Sequence, residues 1–288
     1  MSVLGLFDSD GNFQSKNAHF ARTSEITPKA TMFGAIAGDV IGSVHEGMGT
    51  KIKDFPLFDE CSRFTDDTIL TVAVASALLT GSDYIDAFHE FFHLYPQFGF
   101  GGSFIQWASE RQLAPYNSWG NGSAMRVSPI GFAFDSIDEV MYQAKRSADV
   151  THNHPEGVRG AQATAIAILL ARKGQSKEDI KKHIEQQFNY NLNDRLDEIR
   201  ETYKFDVSCQ GSVPQSIIAF LESTSYEDAI RNAISLGGDA DTMACIAGGI
   251  AEAFYGSVPE IIRSQVTELL DPRLRNIVAE FETKYGTR

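Results

Sequence analysis

Cysteine is scarce in this sequence of 288 residues, and its three copies lie far apart. Cys61, Cys209 and Cys245 form no CxxC pair, and an odd number cannot all pair within one chain. Both features argue against a fold that depends on disulfide bonds. We therefore expect a protein of a reducing compartment, the cytoplasm.

Basic residues are also in short supply, with 25 Lys and Arg against 38 Asp and Glu and a net charge of −13. A protein that binds nucleic acid or an anionic membrane usually presents a basic surface, so neither partner is expected. An anionic small ligand is still compatible with this composition. Divalent cations held by clustered carboxylates would reverse the local field.

The sequence lacks an apolar run of 18 residues, because Gly, Thr, Gln or Arg interrupts each hydrophobic stretch. It begins MSVLGLF before Asp8, without the basic residues that precede the apolar core of a secretory signal. We therefore predict neither a transmembrane helix nor a secretory signal. We also expect the protein to be a monomer.

Segments that alternate apolar and polar residues over the length of a strand are rare, whereas helix-starting patterns recur along the chain. A chain of this length can bury a sizeable core within one domain. We predict an all-α protein with ten or more helices, folded as a single compact domain over residues 29–288. Residues 1–28 are polar and aperiodic, and we expect a flexible N-terminal extension there.

Two apolar patterns predict helices in the core. One runs from Thr31 to about Gly42 and is rich in Gly and Ala, which permit close packing. The other covers residues 69–79, starts at Thr65 and stops at Gly81. Residues 173–206 are rich in charge and Asn, which indicates a solvated helical segment at the periphery. Further helices are predicted over 84–94, 103–111, 137–148, 160–173, 214–222, 226–236, 242–255 and 259–270.

Two acidic clusters stand at predicted helix starts: Thr65-Asp66-Asp67-Thr68, and Asp239-Ala240-Asp241-Thr242 after two glycines. Helix capping explains either cluster taken alone. A cap uses one side chain, however, whereas each cluster has two carboxylates, which need a counter-charge at the edge of a buried region. Oxygen ligands suit Mg²⁺, Mn²⁺ or Ca²⁺. If the two helix starts meet, four carboxylates could hold two ions in one site.

Five motifs follow one another over residues 31–256. They are Gly34-Ala35-Ile36-Ala37-Gly38-Asp39 with Gly42 and Glu46, Phe64-Thr65-Asp66-Asp67-Thr68, Gly120-Asn121-Gly122-Ser123-Ala124-Met125-Arg126, Thr151-His152, and Gly237-Gly238-Asp239-Ala240-Asp241-Thr242. In this order and spacing the chain resembles the ADP-ribosylglycohydrolase family. The resemblance implies the all-α fold of that family, with a cleft that holds two divalent cations, Mg²⁺ or Mn²⁺.

The resemblance also implies roles for the acidic residues. Six residues would bind the cations: Thr65, Asp66, Asp67, Asp239, Asp241 and Thr242. Asp241 is the candidate for bridging both ions, and it joins Glu46 and Asp67 as a candidate for catalysis. Glu46 stands at the family's spacing after Asp39, although on its own it is typical of a solvated loop. Asp39 is expected within a helix, where it would orient nearby polar groups.

By the same resemblance, six residues would bind the substrate: Ser118, Trp119, Asn121, Gly122, Ser123 and His152. Glycines in a tract such as Ser118–Ser123 can turn backbone N–H groups toward phosphate oxygens, and Trp119 could stack on adenine. The tract is equally compatible with a plain Gly-Asn turn. The family pattern favours His152 as a contact to the diphosphate or distal ribose, while His152 and His154 alone would pass for surface histidines.

The implied function is hydrolysis of the glycosidic bond between ADP-ribose and a modified protein side chain or small molecule, with release of ADP-ribose. One alternative is a catalytically silent ADP-ribose binder or structural protein of the same fold. Another is a metal phosphohydrolase acting on a nucleotide diphosphate, which would use the same carboxylates. The sequence does not select among ADP-ribosyl-arginine, ADP-ribosyl-serine, O-acetyl-ADP-ribose and modified nucleic-acid ends, although its acidic character disfavours the last.

Overall fold

The computed structural model describes residues 31–286, so the predicted N-terminal extension and its boundary at residue 29 lie outside the described residues. Within that range the secondary structure is helical, apart from one isolated antiparallel bridge between Gly120 and Ser208. This confirms the all-α fold and its single compact domain. The helices are α1 (Phe33–Gly42), α2 (Asp66–Thr80), α3 (Tyr84–Leu94), α4 (Gly102–Ser109), α5 (Gly122–Met125), α6 (Ser128–Ala133), α7 (Ile137–Asp149), α8 (Pro155–Arg172), α9 (Lys177–Phe188), α10 (Leu196–Thr202), α11 (Cys209–Leu221), α12 (Tyr226–Ile234), α13 (Ala240–Tyr255), α14 (Glu260–Leu269) and α15 (Pro272–Tyr285).

Helix α13 lies at the centre of the domain and packs against α1, α8, α11 and α12. All of its residues from Ala240 to Ala253 are buried, as expected for a helix that is largely apolar around its circumference. Helix α1 makes the most extensive contact with it. A Cβ atom on Gly38 would lie 2.1 Å from the carbonyl oxygen of Ala244, so only glycine permits this approach. The contact brings Asp39 close to the start of α13.

Several helix starts are fixed by serine side chains. Ser136, Ser176, Ser208 and Ser225 each accept a hydrogen bond from the N–H group three residues further on, as N-cap residues do. The predicted start at residue 214 is therefore wrong. Helix α11 begins directly after Ser208 and contains Pro214 in its interior.

Helix α8 also begins earlier than the predicted residue 160. His154 is its N-cap residue and accepts a hydrogen bond from the N–H of Glu156 through Nδ1. Pro155 occupies the first helical position, where a missing N–H costs nothing. This gives His154 a structural role that the sequence did not reveal.

Three helices occur where none is predicted, namely α5, α6 and α15. Helix α15 begins after Asp271, whose carboxylate accepts a hydrogen bond from the N–H of Leu274 at 2.9 Å. It buries Leu274, Val278 and Phe281 on one face and packs against α2. Charged residues separate these three apolar positions in the sequence, which hides their helical spacing.

The charged segment 173–206 forms α9 and α10. Helix α9 buries Ile180, Ile184 and Phe188 and packs against α8, while its remaining side chains face outward to various degrees. This confirms the predicted helical character of the segment. Among the residues that the structure describes, no helix combines the length and apolar character needed to cross a membrane.

Candidate metal and substrate site

A cavity of about 420 Å³ lies where the starts of α2 and α13 meet. The hydroxyl of Thr242 donates a hydrogen bond to Oδ2 of Asp67 at 3.3 Å, so the two acidic clusters are in direct contact. The structure therefore brings together the two clusters that lie 171 or more residues apart in sequence. The wall of the cavity includes Glu46 and all six predicted metal ligands, Thr65, Asp66, Asp67, Asp239, Asp241 and Thr242.

Helix capping accounts for Thr65 but not for the carboxylates. Thr65 is the N-cap residue of α2, and its hydroxyl accepts a hydrogen bond from the N–H of Asp67 at 3.3 Å. Asp239 occupies the same position before α13 but makes no capping hydrogen bond. Its Oδ2 accepts instead from Nδ2 of Asn121 at 2.7 Å. Oδ1 of Asp67 is buried without a hydrogen-bond partner among the described residues.

Asp39, on α1, holds the start of α2 in place. Its carboxylate accepts hydrogen bonds from the N–H groups of Thr65 and Thr68, at 2.9 and 3.1 Å, and from both of their hydroxyls. Burial raises the pKa of Asp39, whereas these hydrogen bonds lower it. The contacts agree with the orienting role expected for Asp39 and place the α2 cluster against α1.

The cluster carries more negative charge than the neighbouring side chains offset. Carboxylate oxygens of Asp39, Asp67 and Asp241 lie within 4.8 Å of one another, and so do those of Glu46, Asp239 and Asp241. Burial and then the neighbouring carboxylates raise the pKa of Asp67 and Asp241 well above the ordinary value. This set of oxygen ligands, with an unpartnered oxygen on Asp67, fits a hard divalent cation.

Glu46 differs from the other carboxylates of the site because it is the most exposed of them. It lies in the turn that follows α1 and forms part of the cavity wall. Partial burial and then the charge of Asp239 raise the pKa of Glu46, while the charge of Arg63 opposes the shift. A carboxyl group with a raised pKa at the edge of a cavity is suited to proton transfer.

Four of the six predicted substrate-binding residues line the cavity, namely Ser118, Asn121, Gly122 and His152. A Cβ atom on Gly122 would lie 3.2 Å from Nε2 of His152, so the glycine leaves room for the imidazole. Asn121 also connects the tract to the acidic cluster through its hydrogen bond to Asp239. The tract thus stands between the histidine and the carboxylates.

Trp119 and Ser123 do not line the cavity as it stands in this structure. The side chain of Trp119 is 54% exposed, and its ring meets the ring of His154 edge to face. The hydroxyl of Ser123 is buried and donates a hydrogen bond to the carbonyl of Gly157 at 2.7 Å. The short helix α5 turns Ser123 toward α8, a direction that the linear motif does not indicate.

The wall of the cavity also contains residues for which the sequence predicted no role. Gly101, the N-cap residue of α4, offers no side-chain acceptor to the N–H groups that follow it, and such helix starts attract anions. Val207 directly follows the charged segment 173–206, none of whose residues lines the cavity. In the sequence, the glycine-rich run Gly99-Phe100-Gly101-Gly102 was the feature that could have pointed to the start of α4. The added residues include Arg63, Gln97, Phe98, Gly99, Gly101, Gly102, Ser103, Phe104, Tyr116, Arg126 and Val207.

Residues 28–287 match the model of the ADP-ribosylglycohydrolase family. The chain is 29% identical over 314 residues to ADP-ribosylhydrolase ARH3 of Homo sapiens, which covers 81% of this chain and 86% of that protein. It is 28% identical over 315 residues to the protein of the same name from Bos taurus, again covering 81% of this chain and 86% of that one. A solved structure described as an ADP-ribosylglycohydrolase-related protein complex shares the fold, with a TM-score of 0.64 and 21% identity over 89% of this chain and 98% of that chain. The chain therefore belongs to the ADP-ribosylglycohydrolase family, which confirms the resemblance drawn from its motifs and its class as a glycohydrolase enzyme.

Proposed function

We propose that this enzyme hydrolyses the glycosidic bond that joins ADP-ribose to a modified protein side chain or to a small molecule, with release of ADP-ribose. The observation that carries the proposal is the direct contact of the two acidic helix starts, through Thr242 and Asp67, in the wall of a cavity. The wall of that cavity also includes residues of the tract around Asn121 and of the start of α4, which supply neutral donors.

Two divalent cations, Mg²⁺ or Mn²⁺, would be held by the six residues of the two clusters. The six residues fit this role because each offers an oxygen atom as a metal ligand. One of these atoms, Oδ1 of Asp67, has no hydrogen-bond partner in the described range. When bound, such ions supply Lewis-acid polarisation and a template for the ribose hydroxyls. Thr65 keeps its capping bond at the start of α2 and so fixes the direction of Asp66 and Asp67.

The diphosphate of the substrate would lie between the tract 118–122 and the start of α4. Both elements line the cavity. Gly101 leaves the first N–H groups of α4 without a side-chain acceptor, and the hydroxyl of Ser118, which accepts from the N–H of Gly120, is a neutral donor in the tract. Backbone N–H groups bind phosphate oxygens without requiring a basic side chain. Trp119, exposed beside the same tract, is the candidate for stacking on adenine.

Glu46 would move the proton in the reaction. Hydrolysis passes through a transition state with positive charge on the anomeric carbon of the distal ribose. The carboxylates around the site favour such charge, and Glu46 at the cavity wall can take a proton from the attacking water. The raised pKa of Glu46, caused by partial burial and by Asp239, makes the carboxylate a stronger base than a fully solvated one.

A panel of substrates tests the proposed reaction. Protein carrying ADP-ribose on arginine or on serine, and O-acetyl-ADP-ribose, are each incubated with the enzyme in Mg²⁺ or Mn²⁺, and the products are analysed by mass spectrometry. Intact ADP-ribose from any of them supports the proposal and names the linkage. Formation of AMP would instead indicate a phosphohydrolase. Tight ADP-ribose binding without hydrolysis of any substrate would indicate a silent binder.

Replacement of Glu46 by glutamine tests its role. We expect turnover to fall by about a hundredfold, at the lower end of the contribution of general acid–base catalysis, while ADP-ribose still binds. Initial rates and calorimetric titration with ADP-ribose measure the two quantities separately. Unchanged turnover in the variant would remove Glu46 from the mechanism, whereas loss of binding would give it a different function in the site.

A further inference from the structure

We infer that Thr151, held by the buried Arg126, fixes the tautomer of His152, so that the imidazole presents Nε2–H to the ligand as a neutral donor. The inference rests on the proposed function, because the ligand it concerns is the ADP-ribose group. It assigns a function to the last residue of the motif Gly120–Arg126 and to the threonine of Thr151-His152. Thr151 and Arg126 are positioning residues, since they act through His152.

Arg126 is fully buried although it forms part of the cavity wall. Its Nη2 donates hydrogen bonds to the carbonyl of Ser147 at 2.7 Å and to Oγ1 of Thr151 at 3.0 Å. Its guanidinium carbon lies 4.2 Å from the centre of the Phe88 ring. Nε and Nη1 have no partner within the described residues. These contacts hold the guanidinium in one orientation. Among the described residues, Thr151 is its only side-chain hydrogen-bond partner.

The hydroxyl of Thr151 lies between this guanidinium and the imidazole of His152, with Oγ1 2.7 Å from Nδ1. A guanidinium can only donate, so Oγ1 of Thr151 accepts from Arg126. The hydrogen bonds that Oγ1 makes to side chains of the described residues are these two, to Arg126 and to His152. Because a buried hydroxyl normally donates its proton, the one proton of Oγ1 is directed to Nδ1 of His152. Nδ1 is then the acceptor, and Nε2 of the neutral ring carries the hydrogen.

The surroundings of His152 also favour the uncharged ring. Burial, followed by the positive charge of Arg126, lowers the pKa of His152 well below its ordinary value. Tyr116, whose ring centre lies 5.9 Å from that of the imidazole, is the other titratable group against it, and burial raises the pKa of Tyr116 to about 12. Both neighbours therefore keep one charge state near neutral pH, Arg126 positive and Tyr116 neutral.

Nε2 of His152 faces the glycines of the tract. Cβ atoms placed on Gly120 and Gly122 would lie 3.5 and 3.2 Å from it, so only the absence of side chains leaves this nitrogen accessible. A fixed Nε2–H group requires an acceptor, such as a phosphate or hydroxyl oxygen. A ligand with a donor at the same place would leave two hydrogens opposed, which is how such sites reject wrong ligands.

Nitrogen-15 NMR of the ligand-free, Mg²⁺-loaded enzyme labelled at histidine tests the tautomer directly. The spectrum of His152→Gln identifies the His152 signals. At pH 7 we expect Nδ1 without a bound hydrogen and Nε2 with one. In Thr151→Val we expect a mixture of tautomers, and calorimetry should show ADP-ribose binding weakened about five- to tenfold, the loss of one hydrogen bond. Thr151→Ser should restore both properties.

Thr164→Val is the matched control, because Thr164 is also buried but its hydroxyl has no partner in the described part of the chain. It should leave the His152 signals and ADP-ribose binding unchanged. A hydrogen on Nδ1, or a charged ring, in the unsubstituted enzyme would overturn the inference. So would a Thr151→Val spectrum identical to that of the unsubstituted enzyme. If ADP-ribose does not bind at all, the proposed function fails, while the ligand-free spectrum still decides the tautomer.

Discussion

Helix α13 has buried carboxyl groups near both of its ends, and the groups at the two ends have different neighbours. At the start of the helix, Asp239 and Asp241 face Asp67 across a cavity. Near its end, Glu252 is fully buried and accepts a hydrogen bond from the N–H of Gly34, at the start of α1, at 2.6 Å. Glu252 thereby satisfies a backbone donor of a neighbouring helix.

A carboxylate oxygen without a hydrogen-bond partner is found at both ends of α13, so this feature does not distinguish them. Oδ1 of Asp67 and Oε1 of Glu252 both lack a hydrogen-bond partner among the described residues. Burial raises the pKa of Glu252 to about 8, so a single proton neutralises this group at pH 7. The other end has several carboxylates within a few ångströms of one another and an open cavity beside them. The number of carboxylates and the adjoining cavity therefore separate the proposed binding site from a structural contact.

The largest expected effect comes from replacing one carboxylate at each end. Asp241→Asn should lower turnover at least about a hundredfold, because stabilisation by a bound cation is worth several kcal/mol and each ~1.4 kcal/mol is a factor of ten. Glu252→Gln, at the other end of the same helix, should retain turnover. Initial rates and circular dichroism of both variants measure activity and fold. Equal losses in the two would show that the ends do not differ in function.

Removal of cations should affect only the first end. Adding Mg²⁺ or Mn²⁺ to metal-free protein at a hundred times the Kd should stabilise the fold by about 2.7 kcal/mol for each bound cation, seen as a higher melting temperature. The shift should be lost in Asp241→Asn and kept in Glu252→Gln, and turnover should stop in EDTA and return with the cation. Full activity without cations would contradict the proposed site.

The pH dependence of stability should report on the second end. With a pKa raised from 4.5 to about 8, Glu252 keeps a proton in the folded state that the unfolded state has lost. Its contribution therefore decreases as pH rises through this window, by at most about 1.4 kcal/mol per pH unit. Glu252→Gln should lack this decrease when urea midpoints of the two proteins are compared from pH 5 to 8. Parallel curves would refute the shift.

The smallest expected effect concerns Gly38. It lies on α1 between Gly34, which contacts Glu252, and Asp39, which contacts the start of α2. Gly38→Ala places a Cβ atom 2.1 Å from the carbonyl oxygen of Ala244, and overpacking of this kind costs about 1–3 kcal/mol. Because α1 also holds Asp39, cation affinity should fall as well. Urea unfolding and cation titration measure both. Gly102→Ala, with open space around its Cβ, is the control for stability and should not destabilise the fold.

Much of the fold follows from composition and local pattern. The apolar runs of α1, α2 and α13 predict core helices because they exceed the length of a strand. The ends of helices were less predictable, as α8 and α11 show. A helix starts where a side chain reaches a free N–H group, and His154 and Ser208 do this upstream of the predicted starts.

The candidate site, like the fold, could be predicted from the sequence only in part. The linear motifs named the carboxylates, Asn121, Gly122 and His152, all of which line the cavity. They did not give the direction of side chains, and so placed Ser123 together with its neighbours although α5 turns it toward Gly157. The start of α4 and Val207 were missed because tertiary contacts, not a local pattern, bring them to the site. The N–H of Asp66 donates to the carbonyl of Phe98, and the N–H of Asn121 donates to the carbonyl of Val207.

The two acidic clusters thus have two explanations, one local and one tertiary. The sequence by itself determined that each stands at the start of an apolar helix, because Thr, Asp and Gly favour such starts. Whether the carboxylates of the two clusters lie apart or close together was decided only by the tertiary structure. Gly38 lets α1 approach α13, and Asp39 binds the start of α2, so that Asp67 meets Thr242. Mutual repulsion of carboxylates, and hence affinity for a cation, exists only once the packing has brought them together.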